Sequence, residues 1–172
     1  VPIPPHLCYN TTMFDGKLLK LAKFLKENHL AIATAESCTG GLLSSRLTDV
    51  SGSSDFVKLN FVTYAYEAKT EILGVSKELL EKHSAVSYEC AKGMAEGLKA
   101  RTNCDLALCT TGIAGPTGGS KEKPVGMVFI SALFKDKLLV KEFRLPRFLP
   151  RKLMKFCFTQ KAIELALEVI SQ

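Results

Sequence analysis

Tryptophan is absent from the 172 residues, and histidine occurs only three times, as His6, His29 and His83. None of the three stands at metal-ligand spacing from another histidine or from any of the six cysteines, and no CxxC pair exists. A zinc site is therefore not expected, and no metal or cofactor is called for. No apolar run approaches the roughly 20 residues that a membrane span needs. Although the net charge is +6 and the pI near 9.0, no stretch holds the run of like charges that marks a nucleic-acid-binding tail. Two phosphate-binding fingerprints are missing as well: GxGxxG fails, and GxxxxGK followed by Ser or Thr occurs nowhere. The opening Val1-Pro2-Ile3-Pro4-Pro5 lacks the charged and apolar regions of a secretory signal. It also lacks methionine, which reads as a trimmed or replaced terminus.

Hydrophobic residues make up 47% and charged residues 23% of the chain, a balance that suits one domain with a substantial core. Most cysteines sit inside apolar runs, where a reduced thiol acts as a small hydrophobe, so a reducing, cytoplasmic setting is expected. Residues 1–14 read as an extended, proline-stiffened lead-in, and 15–172 as the domain. Leu18, Leu21, Ala22 and Leu25 recur at helical spacing. The apolar run 30–33 reads as a strand that turns at Ser37 into a short helix ending near Asp49. Phe56–Tyr64 reads as a second strand. Short helices follow at 67–73, stopped by Gly74, and after Ser76. Ser87 caps a longer helix whose Cys90, Ala91, Met94, Ala95 and Leu98 form one stripe. Residues 105–110 resemble a strand buried on both faces. A hairpin of 127–134 with 138–143 and a final helix over 150–170 complete the chain. Strands separated by helices, then a hairpin, predict a layered α/β domain with a mixed sheet.

Two turns stand out. Glu36-Ser37-Cys38-Thr39-Gly40-Gly41 crowds a carboxylate, a hydroxyl, a thiol and two glycines into a strand-to-helix exit, where backbone N–H groups and the helix dipole face a ligand. Thr111-Gly112-Ile113-Ala114-Gly115-Pro116, continuing to Gly119, is a second glycine-rich strand exit, which taken alone would be an ordinary surface loop. In an open α/β sheet, ligands bind beyond the carboxyl ends of the parallel strands, so the two exits are expected to converge on one crevice.

The ordered motifs Ala35-Glu36-Ser37-Cys38-Thr39-Gly40-Gly41, Val62-Thr63-Tyr64 with Glu67-Ala68-Lys69, Leu73-Gly74-Val75, Ala85-Val86-Ser87, Thr111 to Pro116 with Gly118-Gly119, and Pro124-Val125-Gly126 resemble the CinA C-terminal domain family. The resemblance implies a cytoplasmic, oligomeric, three-layer α/β/α amidase. It would hydrolyse the carboxamide of nicotinamide mononucleotide to nicotinate mononucleotide and ammonia. Carried over residue by residue, it implies Ser37 as nucleophile with Tyr64 and Lys69 assisting, and Thr111 and Gly112 at the substrate. Glu36, Thr39, Gly40, Gly41 and Gly115 would line the same crevice. Two departures stand beside it. Tyr66 occupies a position where the family usually has a small amide. Arg147-Phe148-Leu149-Pro150-Arg151 replaces a Gly-Asp-Arg-like stretch, so either arginine could hold the phosphate; Arg151, in the first turn of the final helix, is preferred.

Chemically, a serine nucleophile needs a base and oxyanion donors. No histidine lies in these motifs, and His83 reads as a helix end. Lys69, directly or through Tyr64, is the remaining base, provided burial lowers its pKa; otherwise it is a solvated helix lysine. Backbone N–H groups of Thr39, Gly40 or Gly112 are the candidate oxyanion donors. Cys38 competes with Ser37 for the nucleophile role, but neighbours at a turn face opposite ways, and Cys38 is assigned to the core. A non-catalytic nucleotide-binding domain is the competing reading, and nucleic-acid binding is the weakest.

Overall fold

Five strands form one mixed sheet in the order β2-β1-β3-β4-β5. The computed structural model describes residues 12–172. β1 (Ile32–Glu36), β2 (Val57–Val62) and β3 (Leu106–Gly112) run parallel, whereas β4 (Met127–Phe134) and β5 (Lys137–Arg144) are the expected antiparallel hairpin. Among the described residues, six α-helices surround the sheet: α1 (Thr12–Glu27), α2 (Leu42–Thr48), α3 (Tyr66–Leu73), α4 (Lys77–His83), α5 (Tyr88–Thr102) and α6 (Arg151–Ile170). Helix α1 starts before the domain boundary placed at residue 15, so the extended lead-in does not reach that far. The rest of the lead-in, and Cys8 with it, lies outside the described residues.

Alternation along the central strands sorts the core into two. Ile32, Leu106, Leu108, Val128 and Ile130 face α1, α2 and α6, where Leu21, Leu25, Leu43, Phe158 and Ile163 meet them without residual exposure. Ala33, Ala35, Ala107 and Cys109 face the other way, against Met94, Ala95 and Leu98 of α5. Small residues on that side of β1 and β3 let α5 lie close to the sheet. Burial of each large aliphatic or aromatic side chain contributes about 1.5–3 kcal/mol relative to exposure, and the central strands are covered on both faces. The result is a single-domain α/β fold with helices on either side of a mixed sheet.

Local chemistry ends the helices where the sequence places the stops. The hydroxyls of Ser76 and Ser87 accept the N–H of Leu79 and Cys90, as N-caps should. Gly74 closes α3 with a φ of +69°, the left-handed conformation that glycine adopts without strain. Ser53–Asp55, between α2 and β2, adds one 3₁₀ turn.

Register then assembles the site. Glu36 pairs with Val62 on one side and Thr110 on the other. The next residue along each parallel strand (Ser37, Thr63 and Thr111) therefore emerges at the same edge. Helix α3, which begins four residues after Val62, is brought over that edge.

The crossing of α5 over the end of α3 is close enough to test. A β-carbon on Gly97 would lie 1.7 Å from the carbonyl oxygen of Leu73. Gly97→Ala should therefore force the helices apart and destabilise the domain by about 1–3 kcal/mol, despite alanine's better helix propensity. Urea unfolding with an unchanged m-value would show it, and a midpoint equal to wild type would disprove so tight a crossing.

Candidate active site

Glu36 ends β1 on the α2 side of the sheet and is wholly buried. Its carboxylate accepts five hydrogen bonds: from Thr39 Oγ1 at 2.6 Å, the N–H of Gly41 and Leu43 at 3.0 Å each, the N–H of Ser44 at 2.8 Å and Ser44 Oγ at 2.5 Å. These are the orphan donors at the start of α2, and a negative group satisfies them and suits the helix dipole. Gly40 and Gly41, with φ of +58° and +92°, supply the left-handed backbone that folds the turn around this carboxylate. The Gly40 N–H returns to the Ser37 carbonyl at 3.1 Å. Gly40 and Gly41 therefore have no backbone donor to spare. Among the described residues, the N–H groups of Cys38 and Thr39 are the turn donors that meet no acceptor on another residue.

Ser37 is held by its N–H, which donates to Thr110 O at 3.0 Å, and is 9% exposed. Lys69 reaches it from the first turns of α3 on the other side. Its Nζ lies 3.0 Å from Ser37 Oγ, 2.8 Å from Thr63 O and 3.1 Å from Tyr64 O, with the whole residue shielded from solvent. Two of these partners are carbonyls, which can only accept. Two N–H bonds of the amine are thereby directed at Thr63 and Tyr64, and the remaining position on nitrogen faces the serine hydroxyl. Desolvation lowers the Lys69 pKa from the ordinary value of 10.5, which favours a neutral amine whose lone pair can receive a proton. Ser37 and Lys69 thus make a direct dyad.

The thiol of Cys38 points instead into the core, and burial pushes its pKa up to about 12. It is a poor nucleophile there. Cys90, on the α5 side, is likewise raised to about 11 by burial.

Tyr64 does not stand between Ser37 and Lys69. Only its carbonyl meets the lysine; its phenol is exposed and accepts from Arg151 Nη2 at 3.2 Å. The other Arg151 terminal nitrogen donates to Gly115 O at 2.5 Å. Arg151 therefore bridges the second glycine-rich exit and the β2–α3 connection, whereas Arg147 lies beside the outer loop of Pro116 to Lys121. Thr39 and Thr111 are buried and use their hydroxyls internally, Thr39 on Glu36 and Thr110, and Thr111 on Ala85 O at 2.6 Å. At Gly112 an added β-carbon would lie 2.5 Å from Met127 O, so glycine is required there for β4 to pass. Tyr66 turns its phenol outward to accept from Ala85 N–H at 3.2 Å, and the ring anchors the α4–α5 connection. His83 is the last residue of α4 and pairs with Glu89 at 3.5 Å. Lys155, which sequence reasoning did not place at the site, leans over Gly40 from the second turn of α6. The one signal for it was its position four residues after Arg151, on the same face of the helix.

A family model described as the CinA C-terminal domain matches residues 17–170. The chain belongs to that family. Among solved members, it superposes on a competence/damage-inducible protein of Agrobacterium tumefaciens with a TM-score of 0.88 at 36% identity, covering 91% of this chain and 94% of the other. A CinA superfamily protein of Escherichia coli superposes with a TM-score of 0.85 at 30% identity, covering 98% and 94%. A competence-damage inducible protein of Thermoanaerobacter is 51% identical over 125 residues, and a CinA-like protein of Syntrophus aciditrophicus 47% identical over 143. These alignments cover 73% and 83% of this chain but 30% and 34% of the relatives. The chain spans about a third of the length of the curated relatives it matches. Among the described residues no cluster could hold a metal ion, and no helix is long and apolar enough to cross a membrane.

If the CinA-domain turn depends on Glu36, Glu36→Gln places an amide NH₂ or a weaker neutral acceptor against five N–H and O–H donors. Loss of charge-assisted bonds of this kind costs about 1.5–3 kcal/mol, or roughly 4–10 °C in Tm for a domain of this size. Calorimetry would measure it. An unchanged Tm would mean that the carboxylate is not what holds the turn.

Proposed function

We propose that the chain is an amidohydrolase that cleaves the carboxamide of nicotinamide mononucleotide, giving nicotinate mononucleotide and ammonia. The observation that carries this reading is the solvent-shielded contact between Ser37 Oγ and a Lys69 amine whose other two bonds are fixed on carbonyls. The substrate class is the one implied by the resemblance of the chain's ordered motifs to the CinA C-terminal domain family.

In this reading Ser37 Oγ attacks the carboxamide carbon while its proton passes to neutral Lys69. The N–H groups of Cys38 and Thr39 receive the oxyanion, an interaction of a type worth about 3–4 kcal/mol of barrier. Lys69 then gives its proton to the departing nitrogen, and ammonia leaves an ester on Ser37. Water attacks that ester, losing a proton to the same amine, and Ser37 is released as the alcohol with the acid as product. Arg151, with Tyr64 holding its guanidinium, faces the phosphate at the crevice mouth, and Gly112 and Gly115 form the wall opposite the Ser37 turn. Glu36 acts through the backbone it holds and is a positioning residue. The protein works as a homo-oligomer and needs no cofactor for these steps.

Ser37→Ala should lower kcat for ammonia release by about 1,000-fold or more while nicotinate mononucleotide still binds. If the wild type binds that nucleotide and releases no ammonia, the domain is a nucleotide-binding module and the amidase reading is lost. Lys69 fixes the pH dependence. Its neutral form is the active base, so kcat/KM should rise with pH through a midpoint below the ordinary lysine value of 10.5. Lys69→Arg should abolish that limb along with activity, because guanidinium does not deprotonate in this range. The same shift has a sign for stability. Between the lowered folded pKa and 10.5 the unfolded chain binds more protons, so this group's contribution to stability increases as pH rises through that window.

A further inference from the structure

The geometry points to Lys155 as a specificity-determining residue of this site: with Arg151 it forms a two-cation clamp for the phosphate, so that the enzyme selects a nucleoside monophosphate over the nucleoside. The assignment rests on the amidase reading for its substrate, but on its own observations for its place.

Lys155 Nζ stands 3.3 Å from where a Gly40 β-carbon would be. A side chain at Gly40 would crowd the ammonium, which therefore lies directly over the turn carrying Ser37. The residue is half-buried, and among the described residues its Nζ has no carboxylate within ion-pair distance. A cation partly withdrawn from water with no anion beside it is costly unless a ligand supplies one. The nearest carboxylate in the turn, Glu36, is wholly occupied by its five donors. Three of those donors are the N–H groups of Gly41, Leu43 and Ser44 at the start of α2, which are thereby withdrawn from any other anion and leave the cations of α6 to meet it. Arg151 lies one helical turn earlier, and its present partners, Gly115 O and Tyr64 Oη, are both neutral. A phosphate dianion competes well for guanidinium held only by neutral acceptors. Two cations four residues apart on one helix face present a pair of donors to one phosphate, at the rim of the Ser37–Lys69 crevice.

The test compares nicotinamide mononucleotide with nicotinamide riboside, which carries the same amide and no phosphate, on wild type, Lys155→Met, Lys155→Gln and Lys155→Arg. Both neutral variants should raise KM for the nucleotide about 10- to 100-fold, the worth of one charge-assisted bond. They should hold kcat within about threefold and leave kcat/KM for the riboside unchanged, while Lys155→Arg restores most of the affinity. An unchanged nucleotide KM, or equal losses on both substrates, would overturn the assignment. Calorimetric binding of nicotinate mononucleotide separates this proposal from the amidase reading. If no variant releases ammonia but the neutral substitutions weaken binding, the clamp stands and the amidase reading fails. If binding is the same in all four proteins, the clamp is wrong.

Discussion

The carboxylate of Glu36 is the constraint on which the site depends. A helix starting directly after a buried strand leaves several N–H groups without partners, and in a water-poor interior each would cost about 1–3 kcal/mol. Glu36 satisfies them from inside, which lets the chain reverse from β1 into α2 with only a few residues between them. Because the carboxylate is directed down into the α2 side, the next residue, Ser37, emerges at the strand edge. Thr39 and Thr110 extend the same network sideways to β3, so the position of the serine is tied to two neighbouring strands at once. The hydroxyl is presented by a rigid scaffold rather than by a loose loop, which is what a nucleophile needs if its geometry is to survive thermal motion.

Sheet register does the remaining assembly. Glu36 aligned with Val62 and Thr110 puts the carbonyls of Thr63 and Tyr64 within reach of the amine that α3 delivers. Only the backbone of β2's extension is used, and the Tyr64 side chain is left free to face Arg151. Helix α6 closes the same edge from the other layer. The site is thus built from three layers of the sandwich.

Much of this was legible in the sequence, for reasons that differ by residue. Element types and ends followed from periodicity, two serine N-caps and Gly74, all of which act locally. Cys38 was assigned to the core because consecutive residues at a strand exit point to opposite sides, and that geometry holds. The convergence of the two glycine-rich exits was readable from the parallel-sheet rule. What the sequence could not convey was which donors would already be engaged. Gly40 looked like an oxyanion donor until its N–H was found on the Ser37 carbonyl. Tyr64 looked like a proton relay because side-chain chemistry is visible in a sequence, while a backbone carbonyl acting as an acceptor is not. Tyr66 stands out in the sequence as a ring in place of a small amide, but the direction of that ring depends on Ala85, nineteen residues away. Lys155 was one basic residue among many, and only a tertiary contact with a glycine that has no side chain distinguishes it.

The placement of charges decides whether a lysine can serve as a base here. A carboxylate beside Lys69 would stabilise the ammonium and hold its proton. The one buried carboxylate of the turn belongs to the residue next to Ser37, yet strand alternation sends it to the opposite face, where α2 absorbs its charge. The groups that oppose the desolvation of Lys69 are the thiols of Cys90 and Cys38, and burial keeps both protonated, near 11 and 12. Burial therefore acts on the lysine almost unopposed. The cations that an anionic ligand requires, Arg151 and Lys155, stand at the rim on α6, away from the shielded amine. In the proposed reading a ligand's negative charge would be held there as well, at the mouth rather than against Nζ. Positive charge at the edge and a lysine of lowered pKa in the interior follow from one arrangement, the alternation of β1 side chains across the sheet.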